Sequence, residues 1–340
     1  MSHKDKIIFY AQKSIFVKYL IIIVFMISRR LIRIKVFKVL FSRINSGSDS
    51  FLAAEKELIL SCDKSLELYY FLLSLPAALK NVAEQKIDAG LKKFHPTPQE
   101  IDPNRKFVNN RLIALLEDDT DITGFCSKRG LSWREYDSFV KKIYSSVVSK
   151  EYFSNYMESS ESSFEEDMKL VSSIFEEELE ESDELYTLLE DANLYWTDDL
   201  AFIINVITKR LHSLKESSSI EHPSVFLKSE DKDYAIRLLN VSMIRYAEYT
   251  GLMSKYVLNW ETDRLAATDL ALIVMGIAEA VTFPNIPIKV TINEYVELSK
   301  FYSTPNSKVF VNGMLDKILL ALKDEGQIEK SGRGLVGSSE

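Results

Sequence analysis

Six cationic side chains are concentrated in one short stretch near the start of the sequence, with no acidic residue among them. Cations at this density can neutralise several phosphate groups of a nucleic acid and make binding depend on salt. A guanidinium group can also hold a phosphate through two hydrogen bonds or stack on an exposed base. The chemistry indicated is recognition of a polyanion, and the residues that could perform it are Arg29, Arg30, Arg33, Lys35, Lys38 and Arg43.

The spacing of apolar residues between these cations predicts a basic amphipathic helix over 28–41. Arg29, Arg30 and Arg33 would share one side of it, at relative positions i, i+1 and i+4. Taken alone, such a stretch is also compatible with a cationic helix face that is merely solvated. The apolar positions are Leu31, Ile34, Val36, Phe37, Leu40 and Phe41.

The sequence offers little to an enzyme or to a metal ion. Its four histidines are scattered, and Cys62 and Cys126 lie far apart without a CxxC spacing. Without a nucleophile motif, the sequence gives no residue to which a catalytic role can be assigned. We predict no catalytic residue, no metal site and no cofactor, and the lack of a disulfide framework favours a cytoplasmic protein.

The charge of the chain is unevenly distributed. Residues 151–199 contain seventeen acidic residues and one basic residue, Lys169. The formal net charge of the whole chain is −8, so the remainder is cationic despite the acidic total. A charge run of this kind most often forms solvated helix faces, and the alternative is that it docks a basic partner surface or mimics nucleic acid.

The first residues contain the apolar run YLIIIVFMI over 19–27, preceded by four lysines. This run is much shorter than the roughly 20 residues that a membrane helix needs, and no small-residue cleavage site follows it. We therefore predict that 1–27 is an extension outside the fold and that translation begins at Met26. A buried helical extension and a membrane-associating segment remain alternatives.

Low Gly and Pro contents, 11 and 8 residues, favour long helices and an all-α fold. Beyond the first helix we expect helices over 50–61 and 63–89, with an irregularity near Pro76. Pro96, Pro98 and Pro103 indicate a linker. Near the end, Thr291 is expected to cap a helix with Glu294 as its capping-box partner, and Ser307 to cap the last helix, 308–322.

The segment IPIKVTINEYVELSKFYSTPNSKVFVNGMLDKI, residues 286–318, is very similar to the C-terminal signature of the NusB family of transcription antitermination factors. The Arg-rich opening RRLIRIKVFKVLF resembles the basic first helix of that family. The resemblance implies an all-α fold, a NusB-like helical bundle, and here the middle of the chain would be an additional helical insertion.

This resemblance also orders the chain into regions. NusB-like helices would occupy 28–95 and 231–326, on either side of an acidic helical insertion at 96–230. We expect 327–340 to be a disordered tail, because it is rich in Gly and Ser and has no apolar periodicity.

The function implied by the resemblance is binding of the boxA element of nascent ribosomal RNA, together with the ribosomal protein NusE. The pair would help to assemble an RNA polymerase complex that resists premature termination. Self-association differs among family members, so a homodimer stays open.

Several residues match positions that the family uses. Arg29, Arg30 and Arg33 match its arginines, and Phe310 matches an aromatic residue that meets RNA, although a Phe at this helical spacing is more often a core residue. For NusE the matching positions are Phe41 and Asp269, while Val274 departs from the pattern. The full set of expected RNA-binding residues is Arg29, Arg30, Arg33, Lys38, Lys289, Asn306, Ser307, Lys308 and Phe310.

Two competing functions follow from the same sequence. One is a helical protein–protein adaptor that does not bind RNA and uses the acidic insertion as its interaction surface. The other is an enzyme, because a similar helical domain occurs fused to RNA cytosine methyltransferases. Such an enzyme would need a Gly-rich cofactor loop after a strand and a catalytic Cys motif, and neither is seen.

Overall fold

The computed structural model describes residues 28–47, 50–216, 220–226, 229–256 and 266–335. These residues form helices and connecting turns, with no strand among them, so the predicted all-α class is confirmed. In chain order the helices are α1 (Arg29–Ser46), α2 (Phe51–Leu73), α3 (Leu75–Leu91), α4 (Pro98–Ile101), α5 (Arg111–Asp118), α6 (Thr120–Arg129), α7 (Asp137–Ser149), α8 (Glu151–Glu158), α9 (Phe164–Ser173), α10 (Asp183–Ala192), α11 (Leu200–Leu211), α12 (Ser229–Ile244), α13 (Tyr246–Tyr256), α14 (Ala267–Thr282), α15 (Ile288–Tyr302) and α16 (Ser307–Asp324).

The described residues divide into two compact units. The middle unit comprises 63–225, and the terminal unit combines 28–62 with 226–335. The division therefore falls inside α2, whereas the sequence suggested a boundary near residue 95. Helix α3 belongs to the middle unit because it contacts α5 and α7.

Helix α1 has clear start and stop signals. The Ser28 hydroxyl accepts a hydrogen bond from the Leu31 N–H, which caps the first turn. At the other end Gly47 adopts a left-handed conformation with φ of 63°, and its N–H bonds to the carbonyls of Arg43 and Ile44. Helix α1 therefore ends at Ser46, five residues beyond the predicted end at residue 41.

The next helix boundaries differ from our expectation. Two helices cover this stretch, as predicted, but α2 continues through residue 62 to Leu73, and the break lies at Ser74, beside the irregularity expected near Pro76. Pro76 occupies the first turn of α3, where its missing N–H is harmless. Within the predicted linker, Thr97 and Glu100 form a capping box that starts the one-turn α4.

The middle unit is built around a large aromatic core. The ring of Phe71 stacks on Trp133 at 4.0 Å and on Trp196 at 5.4 Å between centroids. The Trp133 indole N–H donates to the Phe71 carbonyl at 2.8 Å. In the acidic stretch, Phe175 is buried while the neighbouring Glu176 is exposed, as expected of an amphipathic segment with a solvated acidic face.

The predicted disordered tail is wrong for residues 327–335. Ile328 is buried, and the Lys330 ammonium donates to the carbonyls of Ala280 and Phe283 at 2.7 and 3.1 Å. The Ser331 N–H donates to the Pro284 carbonyl. Residues 328–335, called the C-terminal strap below, thereby satisfy carbonyls at the end of α14, which a helix leaves unpaired.

None of the described helices has both the length and the apolar character needed to cross a membrane. The predictions for residues 1–27, including the start at Met26, lie outside the described residues, as does the end of the tail at 336–340.

Candidate nucleic-acid interface

The terminal unit is organised around α14, which contacts α1, α12, α13, α15 and α16. Its residues 271–280 are all buried. At Gly276 a Cβ atom would lie 2.7 Å from Leu315 Cδ2, so the absence of a side chain lets α16 approach closely. A helix covered on so many sides has no solvent-facing stripe, which explains its nearly continuous apolar sequence.

One acid interrupts that apolar run. Glu279 is completely buried, and its carboxylate accepts two hydrogen bonds from the Arg33 guanidinium, at 2.6 and 3.0 Å. The hydroxyl groups of Tyr234, Thr291 and Tyr295 also donate to it, at 2.5, 2.8 and 3.3 Å. Residues from three other helices, α1, α12 and α15, thus complete the hydrogen bonding of a single buried carboxylate, as a buried charge requires.

The protonation of this network is fixed by its burial and its charges. Burial by itself lowers the pKa of Arg33, but the surrounding Tyr234 and Glu279 reverse the effect and hold the pKa above its ordinary value. Burial, with Glu279 next, raises the pKa of Tyr234 and of Tyr295 well above the ordinary value. Arg33 therefore stays charged and both phenols stay protonated at neutral pH.

These contacts correct two sequence-based assignments. Arg33 is 4% exposed and engaged by Glu279, so it is not available to grip RNA. Thr291 is not the cap of its helix: α15 begins at Ile288 after Pro287, and the Thr291 hydroxyl donates to Glu279. Both residues contribute to the interior of the terminal unit.

Arg29 and Arg30 lie one turn earlier and reach the surface. Arg30 forms a two-bond ion pair with Glu294 of α15, at 3.0 and 2.8 Å, and its side chain is 55% exposed. Arg29 lies 3.6 Å from the Asp231 carboxylate and over the ring of Tyr234. Both guanidinium groups retain open surface at the start of α1.

Helices α1 and α15 run in the same direction. Arg30, at the start of α1, meets Glu294 in the middle of α15, and Phe37, farther along α1, meets Tyr302 at the end of α15, with 5.3 Å between ring centroids. The Lys38 ammonium lies 6.0 Å above the Tyr302 ring, and Phe41 is stacked on Phe37. The predicted Lys38 and Phe41 are thus both half-buried along this seam.

The turn between α15 and α16 is fixed by Asp269. This 5% exposed carboxylate accepts hydrogen bonds from the hydroxyls of Ser303 and Ser307, at 2.6 and 2.8 Å. Ser307 is the first residue of α16 and not its cap, and its hydroxyl also accepts from the Thr304 N–H. We therefore assign Ser307 to positioning of the turn, because its buried hydroxyl faces inward.

The remaining predicted RNA ligands differ in exposure. Lys289, Asn306 and Lys308 are exposed, and Phe310 is half-buried. A Cβ at Gly313 would meet no described atom within 4 Å, so this glycine of α16 does not serve a close helix–helix approach.

Sequence reasoning missed Glu279 and Phe301. The first has a visible signal, since an acid within an apolar run of a helix requires a buried partner. The second is 80% exposed in the last turn of α15. Its signal is the aromatic pair Phe301 and Tyr302, because adjacent helix positions point about 100° apart and only one ring can face the core.

A possible ligand cluster lies in the middle unit, where no metal site was predicted. Asp119, Asp121 and His222 bring their ligand atoms within 4.8 Å of one another. Two of them already form a hydrogen bond, since His222 Nε2 lies 3.1 Å from Asp119 Oδ2. His222 Nδ1 faces the Tyr69 hydroxyl at 3.4 Å, so the ring is held by hydrogen bonds on both sides.

Comparison with known proteins agrees with this architecture. The model of the NusB family matches residues 200–320. The transcription antitermination protein NusB of Salinibacter ruber is 39% identical over 127 residues, which are 37% of this chain and 76% of that protein. Its counterpart in Chloroherpeton thalassium is 39% identical over 105 residues, 31% of this chain and 50% of that protein.

A third relative, NusB of Methylacidiphilum infernorum, is 47% identical over 75 residues, which cover 22% of this chain and 50% of that protein. No solved structure matches the chain. Because more than two thirds of the Salinibacter protein is covered at 39% identity, the chain belongs to the NusB family, as an all-α member with additional helices.

Proposed function

We propose that this protein is a transcription antitermination factor that binds boxA-type single-stranded RNA of nascent ribosomal transcripts together with NusE. The observation that carries the proposal is its membership of the NusB family, three relatives of which are named transcription antitermination proteins. The exposed cations of the terminal unit support the proposal.

Phosphate binding is assigned to the exposed cations. Arg29 and Arg30 at the start of α1 can each present guanidinium N–H groups to a phosphate. Lys289 and Lys308, both exposed, would add charge at the starts of α15 and α16. The first N–H groups of α16 favour an anion as well, with the exposed Asn306 preceding them.

Arg33 takes a different role in this proposal. Its buried pair with Glu279 ties α1 to α14, and its third nitrogen lies 3.3 Å from the Glu294 carboxylate. Arg33 therefore fixes the position of the acid that pairs with Arg30, and its own role is structural.

NusE binding is assigned to the surface around Phe41 and the turn that Asp269 fixes. Phe41 is half-buried at the end of α1 and offers part of its ring to a partner. Asp269 is engaged by Ser303 and Ser307, so we expect it to shape the partner surface through the turn. The complex would then join the RNA polymerase antitermination assembly.

Fluorescence anisotropy with labelled boxA RNA tests the proposal. The full chain is titrated with and without NusE across a salt series, beside the double variant Arg29→Ala/Arg30→Ala. The matched control is Lys141→Ala/Lys142→Ala, which removes two exposed and ion-paired cations from the middle unit. We expect affinity to rise with NusE, to fall with salt and to drop in the α1 variant alone.

The opposite result favours the adaptor. If the chain binds NusE but shows no boxA affinity at any salt concentration, RNA binding is absent. Loss of affinity in both double variants would point to nonspecific charge instead of a site on α1.

A further inference from the structure

Phe301 is the most exposed aromatic ring on α15 and α16. Its side chain is 80% exposed, whereas the adjacent Tyr302 turns inward and meets Phe37. Just across the turn, Val309 is 71% exposed in the first turn of α16. Exposed apolar side chains on both sides of one turn can form a binding surface.

Phe301 lies on the same side of α15 as the Arg30 ion pair. Glu294 precedes it by seven residues, which is about two helical turns and roughly 10 Å along the axis. The opposite side of α15 is buried through Tyr295 and Ser299. A ligand strand that touches Arg30 and continues along α15 therefore reaches the Phe301 ring.

One exposed lysine lies on each side of the turn that follows Phe301. Lys300 and Lys308 are exposed, and Lys300 is paired with Glu297 at 2.5 Å. An aromatic ring flanked by lysines is the arrangement that single-stranded nucleic acids use, with bases stacked on the ring and phosphates near the cations. This charge pattern favours RNA over an apolar protein segment.

We propose that Phe301 is a base-stacking platform, which extends the RNA site from the start of α1 along α15 to the turn before α16. The inference rests on the proposed function, because the strand that it binds is the same single-stranded RNA. It adds a second aromatic contact, on the solvent side of the turn, to the half-buried Phe310.

Three substitutions at this position separate stacking from general apolar contact. Phe301→Ala and Phe301→Leu are each expected to lower RNA affinity about ten-fold, and Phe301→Trp is expected to retain it. The slope of the salt dependence should stay the same, because no phosphate contact is lost. Leu320→Ala, which removes a 57% exposed side chain from α16, serves as the control.

The Trp variant gives a direct readout. Its added fluorescence, measured as the difference from the unchanged chain, should be quenched when boxA RNA binds, because a base stacks on the indole. Absence of this quenching at saturating RNA contradicts the proposal.

The remaining outcomes are equally distinct. If Phe301→Ala and Phe301→Leu bind RNA within two-fold of the unchanged chain while Arg29→Ala/Arg30→Ala binds weakly, the platform is wrong and the proposed function stands. If Phe301→Leu alone retains affinity, the contact is apolar and stacking is excluded. If Phe301→Ala loses affinity for NusE and keeps its affinity for RNA, the ring belongs to a protein interface. If the unchanged chain has no affinity for RNA, both proposals are overturned.

Discussion

Arg33 and Glu279 form a buried ion pair across 246 positions of sequence, with both side chains almost fully shielded from solvent. Removing one partner leaves an uncompensated charge in the interior, which typically costs about 3–5 kcal/mol. We expect Glu279→Gln to lower the free energy of unfolding by this amount, measured by urea titration with far-UV circular dichroism. Glu297→Gln, at an exposed pair, is the control, and equal stability of the two variants would refute the structural role.

Arg30 should affect RNA and leave stability largely unchanged. Its ion pair with Glu294 is half exposed, and exposed pairs contribute about 0–1 kcal/mol. We expect Arg30→Ala to weaken RNA binding and to reduce the slope of log affinity against log salt by about one. Anisotropy across a salt series measures the slope, and an unchanged slope would exclude a phosphate contact by this residue.

Glu294 is expected to compete with RNA for Arg30. Burial by itself would raise the pKa of Glu294, but Arg30 and Arg33 hold the pKa below its ordinary value, so the acid is charged at neutral pH. We expect Glu294→Gln to tighten RNA binding up to about five-fold at low salt, since one competing charge is removed. If Glu294→Gln binds RNA more weakly than the control Glu297→Gln does, Glu294 mainly orients the Arg30 guanidinium.

The C-terminal strap depends on a glycine. A Cβ at Gly334 would lie 1.9 Å from the Pro284 carbonyl oxygen, and a backbone atom cannot easily move away. We expect Gly334→Ala to detach the strap, seen as faster hydrogen exchange at the Ser331 N–H, which is bonded to Pro284. Gly313→Ala is the control, because open space surrounds that position and Ala is the better helix former. Equal protection of the Ser331 N–H in both variants would contradict the close approach of Gly334 to Pro284.

Lys330 gives the strap a pH dependence. Burial lowers the pKa of Lys330 to about 8, with Glu279 opposing the effect. The unfolded chain, with a lysine pKa of about 10.4, then binds more protons between roughly pH 8 and 10. The free energy of unfolding should therefore rise with pH in this window, relative to that of Lys330→Met. This gain in stability should be lost again as the pH falls from about 10 through about 8. Parallel stability curves for the two proteins would exclude a depressed pKa.

The sequence was sufficient for the helical class because apolar periodicity and scarce Gly and Pro act locally. Caps such as Ser28 and Gly47 are local as well, since a cap involves neighbouring residues. Thr291 was misassigned because only its local surroundings were considered. Its local spacing to Glu294 resembles a capping box, but a buried carboxylate from α14 takes its hydroxyl.

The arginines of α1 show that local sequence does not determine which side chains are exposed. Arg29, Arg30 and Arg33 do share one side of the helix, as the spacing predicted. Their surroundings differ along the helix axis, because α14 and α15 cover the turn that contains Arg33 and leave the first turn open. Exposure is decided by elements hundreds of residues away, which helical periodicity does not encode.

The sequence by itself determined the all-α class, the basic first helix and the resemblance to the NusB family, because each depends on residues that are close together in the sequence. Only the tertiary structure decided that Arg33 belongs to the interior, that Asp269 fixes a turn and that Phe301 faces solvent. The physical reason is that charge burial and ring exposure depend on which helices pack together, and that packing joins residues far apart in the chain.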